Sequence, residues 1–486
     1  MSRPTPDRRP RPSFTPATDR GRLLLLLAVA AGVTVFTATV PLLRDWFDLR
    51  VYYGAVHTWV HHGGRVYDYR VPDTAYGFTY PPFAAVAMLP MALLGRPAAL
   101  AGALLLDAVA LAVVLRVLAG RAWRRPGWFG WGLILCALAL FEPLRDTVSF
   151  GQVNLLLLAL VLADAWLLTS APGREQDADG EGRRGSRAAA LAGAGIGLAA
   201  AIKLTPALFI GLLLLARRRR AAAVATAVAL AATALAALVA PGPSRFYWTE
   251  AMWDTTRVGR LDYVSNQSLQ GVLARLGEPQ RGLWALAVVA VLGVWAWRTR
   301  RAAAAGDLPA AFALTGLAAC LVSPITWVHH LVWLLPSFAV LLRAGHARVA
   351  GALYAVLCTS VVWLWAHDAS GVAAFAGSNA YTWITLGLLL WLPYGHPRAA
   401  ARFLARSDSA TVAAPAAAAE AIAAASVQPK PPCEAGAGAE TAAATGEVCG
   451  PCGGGGAPCA AASSEPTGST RPAAPNPQSS SARASS

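Results

Sequence analysis

Long apolar stretches recur from residue 23 to residue 391 and constrain the fold of this chain more than any other feature. A helix that crosses about 30 Å of hydrocarbon needs roughly 20 apolar residues, and irregular backbone at that depth must face protein or a wet cavity. The stretches are Leu23–Leu43, Ala98–Leu118, Gly127–Phe141, Leu155–Leu168, Ala188–Leu215, Ala221–Ala240, Leu283–Trp297, Ala310–Val322, Leu331–Leu342, Val349–Trp365 and Thr382–Trp391. Only 14% of the 486 residues are charged, against about 25% in an average soluble protein. The sequence predicts an all-α polytopic membrane protein of about 12 transmembrane helices.

The net charge of +15 belongs mainly to short arginine-rich connections between these stretches. Such connections normally stay in the cytoplasm. They are Arg8–Arg22, Arg121–Arg125, Arg183–Arg187, Arg217–Arg220, Arg298–Arg301, Arg343–Arg348 and Arg398–Arg406. We expect a multi-pass plasma-membrane protein with both termini in the cytoplasm. Because the cations are explained by a membrane face, nucleic acid is not an expected partner.

Three parts of the chain are predicted: a basic cytoplasmic N-terminal segment (1–22), a transmembrane catalytic domain (23–396) with outer loops at about 44–80 and 241–281, and a cytoplasmic tail (397–486). The tail is rich in Ala, Pro, Gly and Ser and is expected to be disordered, because it has too little apolar surface to offset its chain entropy. Within the domain, Tyr80–Gly95 is short and is interpreted as a re-entrant or partial span. The stretch at Ala188–Leu215 is interrupted at Lys203–Pro206, which favours a broken helix that lines a cavity.

The predicted outer face carries the polar residues that could do chemistry. Asp48 lies beside aromatic residues at the membrane surface and is a candidate base; a solvated juxtamembrane charge is the alternative, and Asp45 competes with Asp48. Lys203 stands between apolar segments, where a buried ammonium suggests an anion partner; a lysine that reaches to the interface is the alternative.

Two histidines and several amides complete this set. His329 and His330 follow a proline break, and one of them could bind a phosphate or a hydroxyl. As neighbours on a helix they point about 100° apart and cannot share one metal. The outer face also lacks a compact cluster of carboxylates, so no metal is expected, and no cofactor is predicted. Gln152, Asn154, Asn266 and Gln267 could bind sugar hydroxyls, or they could serve as ordinary caps and loop contacts. The three glycines Gly193, Gly195 and Gly197 are interpreted as a site of close helix packing rather than a nucleotide loop.

These motifs also carry a family resemblance. In chain order they are Asp48-Leu49-Arg50-Val51-Tyr52, Gly64 to Tyr67-Asp68, Tyr80-Pro81-Pro82-Phe83, Gly151-Gln152-Val153-Asn154, Lys203-Leu204-Thr205-Pro206, Asn266-Gln267-Ser268-Leu269 and Ser323-Pro324 to Trp327-His329-His330. Over residues 20–395 the chain resembles glycosyltransferase family 87, the actinobacterial α-mannosyltransferases of the GT-C superfamily that use polyprenyl-phosphate-mannose. The resemblance implies a GT-C-like helical bundle with an outer-face cavity, and a catalytic base in the first outer loop, which corresponds to Asp48.

The implied reaction is an inverting transfer of mannose to a glycolipid or lipoglycan acceptor on the outer side of the membrane, giving an α-mannoside with an expected α-1,2 linkage. Asp48 would deprotonate the acceptor hydroxyl, and Lys203 with one of the two histidines would stabilise the departing lipid phosphate. The amides would position the sugars. Arg50, Tyr52, Tyr80 and Trp327 are candidates for shaping the pocket.

Three alternatives stay open. A transporter or flippase for a polyprenyl-linked sugar would share the spans and the buried lysine but would need no base. A GT-C transferase with another lipid-linked sugar, such as arabinose, would differ only in a few hydrogen bonds. A membrane scaffold would act through its tail.

Overall fold

The computed structural model describes residue 16 and residues 18–39, 45–170, 190–277, 281–366 and 371–395. Within these residues the chain is helical, and its only β contact is an isolated antiparallel bridge between Arg70 and Gly77. The expected all-α class is therefore confirmed for the described part of the chain. The predicted tail (397–486) and most of the predicted N-terminal segment (1–22) lie outside the described residues.

The described α-helices follow the apolar stretches closely, and additional helices lie in the predicted outer loops. They are α1 (Asp19–Thr39), α2 (Phe47–His62), α3 (Pro82–Met88), α4 (Arg96–Ala119), α5 (Gly127–Leu140), α6 (Glu142–Phe150), α7 (Asn154–Ser170), α8 (Ala194–Ile202), α9 (Leu208–Leu215), α10 (Arg219–Val239), α11 (Pro241–Thr249), α12 (Leu269–Ala274), α13 (Arg281–Ala304), α14 (Leu308–Val322), α15 (Leu335–Arg343), α16 (Ala347–Cys358), α17 (Gly371–Ser378) and α18 (Ala380–Trp391). Short 3₁₀ segments include Leu89–Leu93, Gly120–Arg124, Thr205–Ala207, Val328–Leu334 and Val361–Trp365.

Four of the described helices are long and apolar enough to cross a membrane: α1, α4 with its 3₁₀ extension, α10 and α13. A fifth candidate is the pair α5 and α6, which bends by 74°. The other apolar helices have 10–17 residues, and at 1.5 Å per residue these are shorter than the hydrocarbon core. The apolar helices support a membrane protein, but helix length does not confirm the predicted number of about 12 spans.

The backbone is irregular at two positions that the sequence singles out. The break at Lys203–Pro206 separates α8 from α9, and Lys203 itself is extended, with φ −148° and ψ 133°. The predicted partial span contains α3 and the 3₁₀ turn Leu89–Leu93, which together are too short to cross a bilayer.

The glycines before and within α8 allow close helix packing, as the sequence predicts. A Cβ on Gly193 would lie 2.1 Å from the carbonyl oxygen of Ala221, and one on Gly195 would lie 2.4 Å from that of Leu160. A Cβ on Gly197 would lie 2.4 Å from the carbonyl oxygen of Ala225. Only glycine permits these backbone approaches to α7 and α10.

The predicted first outer loop forms an apolar cluster of its own beside the main helical core. Its aromatic members pack edge to face or tilted, with ring centroids 6.3 Å apart for Tyr52 and Phe78 and 5.8 Å apart for Tyr67 and Phe78. The Tyr67 hydroxyl donates to the carbonyl oxygen of Tyr80 at 2.8 Å. This packing fixes α2 against the rest of the domain.

Gly151 ends α6 and lets the start of α2 approach it. Its φ of +69° is in the left-handed region, and a Cβ at this position would lie 2.6 Å from the Cβ of Leu49. Glycine avoids both the backbone strain and the clash. The next residue, Gln152, is thereby placed beside α2.

We expect Gly151→Ala to lower the free energy of unfolding by about 2–4 kcal/mol, because it adds left-handed strain to a clash with Leu49. Gly63→Ala is the matched control, since Gly63 caps α2 with a φ of +62° and has no atom within 4 Å of an added Cβ. That variant should lose only about 1–2 kcal/mol. Denaturant unfolding in detergent measures both. Equal losses would contradict the proposed contact between α2 and α6.

Candidate active site

Asp48 lies in the first turn of α2 and is half-buried. The two residues before the helix, Asp45 and Trp46, both have left-handed backbone, with φ of +46° and +47°. The Trp46 backbone N–H donates to the carbonyl oxygen of Ser149 at 2.8 Å. This contact attaches the beginning of α2 to the end of α6 and directs the Asp48 carboxylate towards Gln152.

Gln152 connects the polar groups of the site. Its Nε2 donates to Asp48 Oδ2 at 2.7 Å. Its Oε1 accepts from the Tyr80 hydroxyl at 2.9 Å and from Asn154 Nδ2 at 3.3 Å. The Tyr52 hydroxyl donates to that of Tyr80 at 3.0 Å. Because Oε1 already accepts from two donors, the amide has one orientation, and its N–H group is directed to the carboxylate.

Lys203 stands at the other end of this chain of hydrogen bonds. Its Nζ donates to Asn154 Oδ1 at 2.9 Å and lies 5.2 Å from the centroid of the Tyr80 ring. The extended backbone at Lys203 ends α8, and Pro206 follows within the first turn of the next segment. The break in the helix therefore places the only lysine of the described residues in the site. We call Asp48, Gln152, Asn154, Lys203, His330, Tyr52 and Tyr80 the Asp48–Lys203 network.

His330 joins the network through a ring nitrogen. The Trp327 backbone N–H donates to His330 Nδ1 at 3.1 Å, and His330 Nε2 lies 2.8 Å from Lys203 Nζ. With Nδ1 acting as acceptor, the proton of a neutral imidazole is on Nε2. The Nε2–H group can donate to Lys203 only while the lysine is an uncharged amine. When Lys203 is an ammonium, both groups are donors beside one small space, and a phosphate oxygen there would accept from both.

The space beside these donors is small. A cavity of about 20 Å³ is bordered by Asn154, Lys203, Cys320 and His330, which is room for about one water molecule. The predicted outer-face cavity, which would have to hold a lipid headgroup and an acceptor, is not confirmed at this position.

The other predicted amides are used to hold the protein together. Gln267 Nε2 donates to the carbonyl oxygens of Val264 and Ser378 at 2.6 and 2.7 Å, and its Oε1 accepts from the backbone N–H and hydroxyl of Thr382. This fills the hydrogen-bonding capacity of the amide. Asn266 is likewise buried and donates to Leu261 and Pro324. The structure does not bring Asn266 or Gln267 into the Asp48–Lys203 network.

The remaining predicted residues surround the network without entering it. His329 is buried, and its ring packs on Phe150 with centroids 4.9 Å apart. Arg50 pairs with Asp45 at 3.2 Å, on the exposed side of α2. Trp327 contributes its backbone N–H to His330, while its ring contacts that of Tyr263 with centroids 6.1 Å apart.

Sequence reasoning missed a second buried polar cluster, at the beginning of α6. Glu142 is fully buried and accepts hydrogen bonds from Trp363 Nε1 at 2.7 Å and from the Tyr381 hydroxyl. Arg145, one turn later, donates to the Ser360 hydroxyl at 2.9 Å. The position of Glu142 in the sequence could have indicated this cluster. Glu142 directly follows an apolar stretch, and charged residues there seldom occur without a partner.

Burial dominates the electrostatics of Asp48. Desolvation raises the pKa of Asp48 from 3.8 to about 6, although the hydrogen bond from Gln152 and the charge of Lys203 act in the opposite direction. A carboxylate with a pKa near 6 is largely ionised at neutral pH and is a stronger proton acceptor than an exposed one. Together with the nitrogen groups of Lys203 and His330, the carboxylate gives a helical membrane protein the groups needed for base-assisted transfer from a phosphorylated donor.

Comparisons with known proteins agree with a helical membrane protein that transfers a group from a phosphorylated donor. The sequence profile of glycosyltransferase family 87 matches residues 78–324, a region that includes Gln152, Asn154 and Lys203 and begins after Asp48. The chain belongs to this family and is a membrane glycosyltransferase. The resemblance expected from the motifs is confirmed. No solved structure gives a significant match.

Two relatives have names that describe their activities. A polyprenol-phosphate-mannose-dependent α-(1-2)-phosphatidylinositol pentamannoside mannosyltransferase of Mycobacterium tuberculosis is 32% identical over 417 residues, which is 80% of this chain and 90% of the relative. A polyprenol-phosphate-mannose-dependent α-(1-2)-phosphatidylinositol mannoside mannosyltransferase of Mycolicibacterium smegmatis is 31% identical over 321 residues. That alignment covers 61% of this chain and 66% of the relative.

Because burial disfavours the ionised carboxylate, we expect Asp48→Asn to stabilise the protein at pH 7.5. The folded-state pKa lies above the unfolded value, so the ionised carboxylate costs stability above pH 6, and this cost disappears as the pH falls towards 4. The unfolding midpoint should rise by about 2–5 °C at pH 7.5 and by less at pH 5. Asp45→Asn, at an exposed carboxylate, is the control and should change little. A thermal shift series in detergent would contradict this account if Asp48→Asn gave no pH-dependent gain.

Proposed function

We propose that this protein transfers a mannosyl residue from polyprenyl-phosphate-mannose to a phosphatidylinositol mannoside or a related lipoglycan, on the outer side of the plasma membrane. The observation that carries the proposal is the Asp48–Lys203 network, which connects a carboxylate to a cation through two amides. Membership of the family and the named activities of the two relatives support the donor and the acceptor class.

The proposed reaction is a single displacement with inversion. Asp48 accepts the proton of the acceptor hydroxyl, and the hydroxyl oxygen forms a bond with C1 of the mannose. The bond between C1 and the phosphate oxygen breaks, and the polyprenyl phosphate leaves with the electron pair. A β-linked donor then gives an α-mannoside, which we propose to be α-1,2-linked.

Each group of the network has a role in this reaction. The hydrogen bond from Gln152 orients Asp48, so that one carboxylate oxygen is free for the acceptor. Lys203 and the Nε2–H of His330 neutralise the charge that develops on the phosphate. Tyr80 and Tyr52 hold Gln152 in place from the other side.

The test is mannose transfer by purified protein from synthetic polyprenyl-phosphate-mannose to a phosphatidylinositol mannoside. Loss of a general base costs about 10²–10⁴-fold, so Asp48→Asn should reduce the rate by this factor. Asp45→Asn should stay within about fivefold of the wild type, because an exposed ion pair contributes less than about 1 kcal/mol.

Transport and sugar-donor measurements separate two of the alternatives. A transporter or flippase would move donor lipid across vesicles without transfer, and Asp48→Asn would not impair it. A transferase for another sugar would consume a polyprenyl-phosphate-arabinose donor in preference to the mannose donor. Wild-type turnover by a folded Asp48→Asn protein would contradict the assignment of Asp48 as the general base.

A further inference from the structure

A second and larger cavity lies outside the Asp48–Lys203 network. It has a volume of about 390 Å³ and lies between α4, α7, α14 and α15. Ligand pockets in proteins have volumes of about 300–1,000 Å³, so this cavity is of ligand size. The proposed transfer reaction does not use it.

The cavity lies at the far ends of the helices that build the candidate active site. Helix α7 begins at Asn154 in the network and contributes Trp166 to the cavity, about 18 Å away along the helix axis. Helix α14 runs in the opposite direction, with Phe312 in the cavity and Cys320 near Lys203. The two sites therefore lie towards opposite boundaries of the apolar region.

Three arginines line the cavity: Arg116, Arg121 and Arg343. All three are exposed, and none forms an ion pair with an acidic side chain of the described residues. The lining residues include no carboxylate. Arg116 makes one long hydrogen bond to the carbonyl oxygen of Gly120, at 3.3 Å. Most of the hydrogen-bonding capacity of these guanidinium groups is thus left for an anion.

The walls between the arginines are apolar. Leu162 and Phe312 are buried at 4% and 2% exposure, and Trp166 is 51% exposed at the rim. A cationic rim over an apolar wall matches a ligand that has a phosphate at one end and hydrocarbon at the other. Basic pockets between transmembrane helices bind anionic lipid headgroups for this reason.

We propose that this cavity binds an anionic phospholipid, with its phosphate between the guanidinium groups and the upper part of an acyl chain against Leu162 and Phe312. The rest of the chains would remain in the bilayer. The inference rests on the charge and shape of the cavity and is independent of the sugar donor.

Native mass spectrometry of the full-length protein with phosphatidylglycerol, phosphatidylcholine or inorganic phosphate tests the proposal. Each arginine near an anionic lipid contributes about fivefold in affinity. We expect Arg121→Gln/Arg343→Gln to reduce phosphatidylglycerol binding about 25-fold and to leave phosphatidylcholine binding unchanged. Arg219→Gln/Arg220→Gln removes two exposed arginines outside the cavity and should bind phosphatidylglycerol as the wild type does.

A second variant tests the apolar wall with every charge retained. Ala339→Phe fills part of the cavity and should also reduce phosphatidylglycerol binding, while the unfolding midpoint in lipid-free detergent confirms that the protein is folded. Equal losses in the two arginine pairs would show general surface attraction and overturn the site. Saturable binding of inorganic phosphate that displaces the lipid would assign the cavity to free phosphate and would also overturn the proposal.

Discussion

The hydrogen bond from Gln152 Nε2 to Asp48 Oδ2, 2.7 Å long, is the interaction on which the site depends. A carboxylate and an ammonium that are withdrawn from water each cost several kcal/mol unless partners replace the lost hydration. Here two amides stand between Asp48 and Lys203 and provide those partners. The two charges are therefore connected without forming a direct ion pair. Each can still act on a substrate, one as a proton acceptor and the other as a cation.

The backbone around this bond departs from regular helix wherever a functional side chain must be placed. Left-handed residues at Asp45, Trp46 and Gly151 bring α2 and α6 together. The extended backbone of Lys203 ends α8 at the level of Asn154. Irregular backbone inside an apolar domain is stable only when its polar groups find protein partners or a wet cavity. The network supplies partners for the side chains that these breaks bring together.

Much of this arrangement could be predicted from the sequence. Apolar composition gave the positions of the long helices to within a few residues at most ends, because burial in lipid selects composition strongly. Asp48, Gln152, Asn154, Lys203 and His330 were all predicted as site residues, and the structure brings them together. Their roles with substrate remain predictions.

Other features could not be predicted because they depend on tertiary contacts. Gln267 has the same side chain as Gln152, yet its amide is filled by backbone groups from distant segments. Helix α2 carries no long apolar run, and its residues were predicted to lie in an outer loop. Helix α13 extends to Ala304, well beyond its apolar stretch, because the extension packs against the protein. Arg298 is buried there and donates to the carbonyl oxygens of Leu389 and Leu392.

The pH dependence of kcat/KM for mannose transfer tests the central claim most directly, because it reports the ionisation of the base in the free enzyme. The account predicts that the rate falls with decreasing pH through a midpoint near 6. Replacement of Gln152 by Leu removes the hydrogen bond that lowers this pKa, so the midpoint should move to higher pH. A midpoint near 4, or one that does not move in Gln152→Leu, would contradict the account.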